Sequence, residues 1–313
     1  MPDQTVEVAA AVVQRADGSF LLAQRPTGKV YAGYWEFPGG KIESGESPAQ
    51  ALARELHEEL GLTATRIYPW LTREYTYPHA KVRLHFQRVV GWQGEPRSRE
   101  GQAFSWQCAG KTDVTPMLPA NATVLKALEL PAKYAITNAN EVGEEEVLKR
   151  LESALNEGLG LVQVREKQFD RRRLEDFARE VVTRCRGHGA KVMINGELAV
   201  ANRVAADGVH LTAAQLLRTK RRPEVKWCAA SCHDASEIRK AESLGLDFIV
   251  VGPVKATPSH PDARPLGWQG FRDLAIDAAL PVFALGGMRS DDLERAWQHG
   301  AHGIAMLRGA WQA

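Results

Sequence analysis

The chain has 313 residues, of which 44% are hydrophobic and 25% charged, with a formal net charge of +2; that length exceeds a typical single core and predicts two domains. Near-neutral charge argues against a surface that coats nucleic acid or a membrane, and four cysteines are too few for a disulfide framework. No secretory leader precedes Val6 and no apolar run approaches the ~20 residues of a membrane span, so the expectation is a cytoplasmic protein with no membrane partner and no direct nucleic-acid binding.

In chain order, Val6 to Val13 reads as a buried strand, Ala16-Asp17-Gly18-Ser19 as a turn and Phe20 to Arg25 as its hairpin partner. Lys29 to Gly33 is a loop leading into Trp35-Glu36-Phe37-Pro38-Gly39, where Pro-Gly-Gly imposes an irregular backbone. From Gly40 to Leu62 a loop feeds a helix. Ser47 suits the N-cap, Pro48 the first helical position, Gln50 completes a capping box, and Gly61 closes the C-terminus. Ala49, Leu52, Ala53, Leu56 and Leu60 recur at helical spacing and predict the packed face.

Glu55, Glu58 and Glu59 then share the adjoining flank. Three like charges there cost stability unless a cation offsets them. Mg²⁺, with Mn²⁺ as its substitute, takes oxygen ligands and completes its shell with water and substrate phosphates. Arg54 is placed to hold one carboxylate through a bidentate pair. A solvated acidic face produces the same string, and the helix alone does not choose between the two. Beyond it come strands Thr72 to Tyr77 and Val82 to Val90, a polar loop Arg97 to Gln102, a strand Phe104 to Trp106, and Pro119-Ala120-Asn121 before the last helix of this half.

Gly40, five residues, Glu46, seven residues, then Arg54-Glu55-Leu56, Glu58-Glu59 and Gly61-Leu62 resembles the Nudix box at every fixed position, and Trp35 to Gly40 resembles its MutT branch. The resemblance covers residues 5 to 128 and implies an α/β/α sandwich with a mixed sheet that splits a nucleoside triphosphate into monophosphate and pyrophosphate. It implies a metal held by Glu55, Glu58, Glu59, Glu100 and the carbonyl of Gly39, with the glutamates dividing ligand and general-base roles. It also implies substrate contacts at Arg25, Glu36, Phe37, Pro38, Gly39 and Asn121. An amide both donates and accepts, so Asn121 would grip the O6 and N7–H edge of an 8-oxo-guanine, whereas guanine leaves one contact unmade. The favoured substrate is therefore 8-oxo-dGTP. Ala80 stands where that branch has an arginine and Val30 where it has a histidine, which loosens the expectation on the base more than that on hydrolysis.

Pro131 stops a helix and sets the expected boundary, with one domain over 1–130 and a second over 131–313. From Lys133, short apolar strands alternate with amphipathic helices: Tyr134–Thr137, Leu161–Arg165, Lys191–Asn195, Gly208–Leu211, Trp227–Ser231, Phe248–Gly252, Pro281–Gly286 and Gly303–Leu307. Eight such units predict a (β/α)₈ TIM barrel with its site at the strand C-termini, and Gly286-Gly287 and Arg308-Gly309 fall where such barrels bind phosphate.

The segments Tyr134-Ala135-Ile136-Thr137, Gln163 to Lys167, Gly208-Val209-His210-Leu211, Ser231-Cys232-His233 and Gly252-Pro253-Val254 resemble the thiamine-phosphate synthase/TenI superfamily. This implies a ligand site built from Gln163, Arg165, Lys167, Asn195, Ser231, His233, Gly286, Gly287 and Arg308, and a phosphorylated thiazole or thiamine as ligand. Synthases have metal-binding carboxylates where this chain has Gly196 and the run Thr212 to Gln215, and a serine where it has Arg308. Little is left to hold Mg²⁺ on a pyrophosphate substrate, so synthase activity is not expected. A TenI-like tautomerase in which His233 moves protons and a non-catalytic ligand sensor or scaffold both remain open. Cys228 and Cys232 lack a second C-x-x-C pair and are expected to be small core residues rather than, with His233, a zinc site. For the first half, the rival to a nucleotide is hydrolysis of thiamine diphosphate or its analogues.

Overall fold

The computed structural model describes residues 5–257 and 264–311. The chain divides into two compact units, Met1–Glu129 with Ile276–Ala279, and Leu130–Ala275 with Leu280–Ala313.

The first unit contains strands β1 (Val6–Val13), β2 (Phe20–Gln24), β3 (Trp35–Glu36) and β4 (Gly39–Lys41), helix α1 (Pro48–Leu60), and strands β5 (Thr63–Tyr77), β6 (Ala80–Gln93) and β7 (Phe104–Gln107). A mixed sheet runs in the order β4-β1-β6-β5, with β1 parallel to β6, and a smaller antiparallel sheet runs β3-β2-β7. Side chains alternate across a strand, and β1 uses both faces. Ala9, Ala11 and Val13 pack with Ala51, Leu52, Leu56 and Leu60 of α1. Ala10 and Val12 pack instead with Phe20, Phe37, Trp70, Phe86 and the helix Ala122–Ala127. The helix–sheet–helix layering expected from sequence is present.

α1 forms where its caps place it: the Ser47 hydroxyl accepts from the Gln50 amide, the Gln50 side chain reaches back, and Gly61 is left-handed at φ 69°. Its buried residues are Ala51, Leu52, Leu56 and Leu60. Ala49 and Ala53, assigned to the packed face by spacing, are only half-buried, so the face is turned slightly toward Ala51. β5 begins at Thr63 rather than Thr72, and its pairing with β6 is interrupted by register shifts at Ala64/Arg66, Arg66/Ile67 and Pro69/Leu71. Those irregularities break the alternation that marks a strand in sequence.

In the second unit, β8 (Lys133–Ile136), β9 (Leu161–Val164), β10 (Lys191–Asn195), β11 (Gly208–Leu211), β12 (Trp227–Cys232), β13 (Phe248–Val251), β14 (Val282–Leu285) and β15 (Gly303–Met306) close a parallel barrel in chain order. All eight expected strands are there. Tyr134, Leu161, Met193, Trp227, Phe248, Phe283 and Ala305 belong to one of its buried apolar clusters, a packed core rather than a pore. A Cβ at Gly303 would sit 2.0 Å from the Ala132 carbonyl, so the barrel closes there only over glycine.

All four cysteines are free thiols; Cys185, Cys228 and Cys232 are buried and Cys108 is exposed. Arg222, in the basic run after the helix Ala213–Arg218, pairs with Asp247 at 2.6 Å. Among the described residues no helix is long and apolar enough to cross a membrane.

Candidate active site

The last turn of an α-helix leaves carbonyls without intrahelical partners, and here the loop 97–102 supplies them. Arg97 N–H donates to the Leu60 carbonyl (2.9 Å), Arg99 N–H to that of Glu59 (3.0 Å), and the Arg99 guanidinium to that of His57 (3.0 Å). Buried Gln102 donates its side-chain amide to the Glu59 carbonyl (3.1 Å), and its amide oxygen accepts from the Glu100 N–H (3.1 Å). The Glu-Gly-Gln segment is thereby docked on the end of α1. Lys29 marks the result, lying 3.9 Å from Glu59 and 3.6 Å from Glu100.

The three glutamates of the helix do not share one partner. Arg54 binds Glu46 through both carboxylate oxygens (2.9 and 2.9 Å), so its bidentate pair goes to Glu46, and it also takes Glu55 (2.8 Å) and Glu58 (3.4 Å). Its hydrogen bonds pull the Glu46 carboxyl down to about 2. Glu58 is mostly exposed, whereas Glu59 is sunk, with 13% of its side chain accessible. Burial pushes Glu59 up to about 7; Lys29 opposes this, and Glu55, Glu100 and Glu36 add to it.

Among the described residues no three His, Cys, Asp or Glu side chains stand grouped to hold a metal ion; Arg54 and Lys29 engage the carboxylates. The donor set still suits a hard divalent cation. All its side-chain donors are carboxylates, Glu59 is desolvated among like charges, and the backbone is cut away around them. A Cβ on Gly40 would lie 2.1 Å from a Glu55 oxygen, and one on Gly39, at φ +149°, would lie 2.1 Å from the Ala9 carbonyl. Arg54 and Lys29 occupy the counter-charge role that a metal would share.

The expected substrate residues have different partners. Arg25 is taken by both oxygens of Glu36 (2.7 and 2.6 Å) and by the Val30 carbonyl (2.7 Å), so the pair braces the loop between β2 and β3. Phe37 and Pro38 are buried, Phe37 against Phe20 and Phe86, so their side chains belong to the core. Asn121 is 4% exposed, and among the described residues its amide donates only to the Met117 sulfur at 3.8 Å, a weak acceptor. Its capacity is largely unspent.

In the barrel, a cavity of about 590 Å³ opens at the strand C-termini, within the size range of small-ligand sites. Gln163, Arg165, Lys167, Asn195, Ser231, His233, Gly286, Gly287 and Arg308 all line it. So does Arg289, which motif reading did not single out, and among the described residues no Asp or Glu lines it. Burial lowers the Arg165 guanidinium, and the neighbouring Arg165 charge lowers Lys167. Where a synthase carries carboxylates, Gln215 donates instead to the Gly196 carbonyl (2.8 Å). Arg308 pairs with Glu141 at 2.6 Å. His233 N–H donates to Glu237 (2.6 Å), and its Nδ1 lies 3.0 Å from the same oxygen. That carboxylate favours a proton on Nδ1 and leaves Nε2 as the accepting nitrogen.

A buried string also runs across the barrel. Gln163 donates to the Tyr134 hydroxyl (2.9 Å), which meets His210 Nδ1 (3.2 Å), and His210 Nε2 meets the Ser231 hydroxyl (3.0 Å). Tyr134 and His210 escaped motif reading as site residues because only the closed barrel brings them together. Burial, helped by the Arg165 charge, pushes His210 down to about 3, so the folded chain holds it neutral. A neutral histidine stabilises fully above its unfolded value near 6.5, and that contribution is lost as pH falls toward 3. Stability should drop by roughly 2 kcal/mol between pH 6.5 and 5 from this group. Urea unfolding of wild type and His210→Gln across that range checks this, the variant showing a flatter acid slope.

Residues 4–128 match the family model described as NUDIX domain, and residues 133–310 that described as Thiamine monophosphate synthase. A putative thiamine-phosphate synthase 2 of Aquifex aeolicus is 36% identical over 180 residues, 57% of this chain and 96% of that protein. An 8-oxo-dGTP diphosphatase of Haemophilus influenzae is 38% identical over 128 residues, 41% of this chain and 94% of the relative. A CTP pyrophosphohydrolase of Escherichia coli is 41% identical over 128 residues, 39% of this chain and 90% of the relative.

Proposed function

Since the chain belongs to the Nudix hydrolases over residues 4–128 and to the thiamine monophosphate synthase/TenI family over residues 133–310, we propose that its first unit hydrolyses 8-oxo-dGTP to the monophosphate and pyrophosphate. The observation that carries this is the sunken Glu59, set beside Glu100 and Lys29 at the end of α1. Glu55, Glu58, Glu59, Glu100 and the Gly39 carbonyl would hold Mg²⁺ or Mn²⁺, which when bound neutralises the polyphosphate and acidifies water for in-line attack.

The chain's own residues do the rest. Arg54 holds the Glu55 carboxylate in place at 2.8 Å, and the Gln102 amide keeps Glu100 against the helix end. Lys29 meets the negative charge of the phosphate chain. Asn121 offers its unspent amide to the base edge, where a donor–acceptor mismatch discriminates strongly. The likeness to proteins named for 8-oxo-dGTP and for CTP supports a nucleoside triphosphate over thiamine diphosphate.

For the barrel, the cationic cavity, with no carboxylate among its described lining residues, supports a phosphorylated thiazole or thiamine-like ligand held without a metal, and no synthase activity. The Glu237-oriented His233 favours a second reading, a TenI-like proton transfer on that ligand. The test is a panel of 8-oxo-dGTP, dGTP, CTP, the remaining dNTPs and thiamine diphosphate with Mg²⁺, scoring pyrophosphate and phosphate separately. Preferred release of pyrophosphate from 8-oxo-dGTP is expected. Phosphate from thiamine diphosphate, with the nucleotides untouched, would reject the nucleotide reading.

A further inference from the structure

Five aromatic rings meet in one patch of the first unit. Tyr31 and Tyr34 come from the loop between β2 and β3, and Tyr75, Tyr77 and His79 from the end of β5 and the turn after it. Tyr31 lies 5.2 Å from Tyr34, 5.5 Å from Tyr77 and 5.8 Å from His79; Tyr77 stacks on His79 at 5.5 Å and meets Tyr75 at 4.6 Å. The four tyrosines are only partly covered, His79 is exposed, and Val30 beside them is 55% exposed. Contiguous apolar surface of this kind marks a binding face more often than a scattered exposed side chain does.

Two contacts fix where this face lies. Lys29, which reaches Glu59 and Glu100, precedes Tyr31 by two residues, a span of no more than about 7 Å of chain. At the other end, the Tyr77 hydroxyl faces the backbone of Ala120, the neighbour of buried Asn121 with its unspent amide. A nucleotide with its phosphates at Glu59 and its base edge at Asn121 lays its ring along the patch. Tyr31 moreover sits at φ 59°, a left-handed conformation unfavourable for any residue with a Cβ. A glycine would make that turn more easily, so the turn does not account for the ring.

Resting on the hydrolase reading above, we infer that Tyr31, backed by Tyr77 and His79, is the stacking surface for the nucleobase. Every base has a π-face, so a stacking platform is tolerant of base identity. The site therefore admits pyrimidine as well as purine triphosphates, and discrimination falls to the Asn121 amide.

Steady-state kinetics with 8-oxo-dGTP, dGTP and CTP in Mg²⁺ test this on the full chain with Tyr31→Ala, Tyr31→Gly, Tyr31→Phe and Asn121→Ala. Loss of the ring should raise KM about tenfold for all three nucleotides, with kcat nearly unchanged, and Tyr31→Phe should recover most of the loss. Tyr31→Gly relieves the backbone strain, so a KM effect there is not a folding defect. Asn121→Ala should instead change the ratio between bases. Unchanged KM in both ring-less variants, or an effect confined to one base, would overturn the platform. Hydrolysis of none of the three by wild type would reject the hydrolase reading itself, and the platform with it.

Discussion

Glu59→Gln is expected to lower turnover by about 10²–10⁴-fold, the range for loss of a positioned proton-transfer or ligand carboxylate, while the folded chain gains stability. The two effects share one cause. The Glu59 side chain is largely buried, with Lys29 no closer than 3.9 Å and with Glu55, Glu100 and Glu36 all opposing its charge. An amide of the same shape removes the desolvated charge and the repulsion, yet can neither take a proton nor bind a hard cation well. Strained or destabilised sites commonly trade stability for activity in this way. Pyrophosphate release in Mg²⁺ and thermal melting without metal, on the same preparation, check both signs. A variant that is inactive and also less stable would show Glu59 to be a structural carboxylate.

Gly39→Ala is expected to cost on the order of 3 kcal/mol and to abolish hydrolysis. A Cβ there would fall 2.1 Å from the Ala9 carbonyl and 3.0 Å from the Ala10 Cα. Both are backbone atoms of β1, which lies inside the sheet between β4 and β6, so no side chain can swing away. At φ +149° the residue is also in a region that L side chains rarely adopt. Gly45→Ala is the control: its φ is +87° with nothing within 4 Å of the new methyl group, so it carries backbone strain without collision, about 1–2 kcal/mol. Urea unfolding of the two variants separates collision from strain.

What sequence made legible was whatever is encoded locally. The α1 caps are short-range bonds between Ser47, Gln50 and Gly61, and each barrel strand is an apolar run closed by a helix. Several strands end earlier than their sequence suggests because a side chain replaces the ladder: the Arg165 N–H, for one, donates to the Thr137 hydroxyl at 3.0 Å. The early part of β5 was illegible because its bulges and Pro69 destroy period-two alternation. Site chemistry divides along the same line. The spacing of Glu55, Glu58 and Glu59 is written in one helix, but Arg54 splits them through Glu46, a contact eight residues away. Capture of Arg25 by Glu36, the Tyr31–Tyr77 contact and the Tyr134–His210–Ser231 string depend on strands meeting from distant parts of the chain. No periodicity records them.

The thiols bear on how the chain withstands oxidants. A peroxide attacks the thiolate rather than the thiol. Burial pushes Cys185 and Cys228 up to about 12 and raises Cys232 as well, so these sulfurs stay protonated and out of reach at physiological pH. Exposed Cys108 lies just past β7, outside the carboxylate cluster and the barrel cavity. Three of the four sulfurs are thus shielded from oxidation by the fold itself.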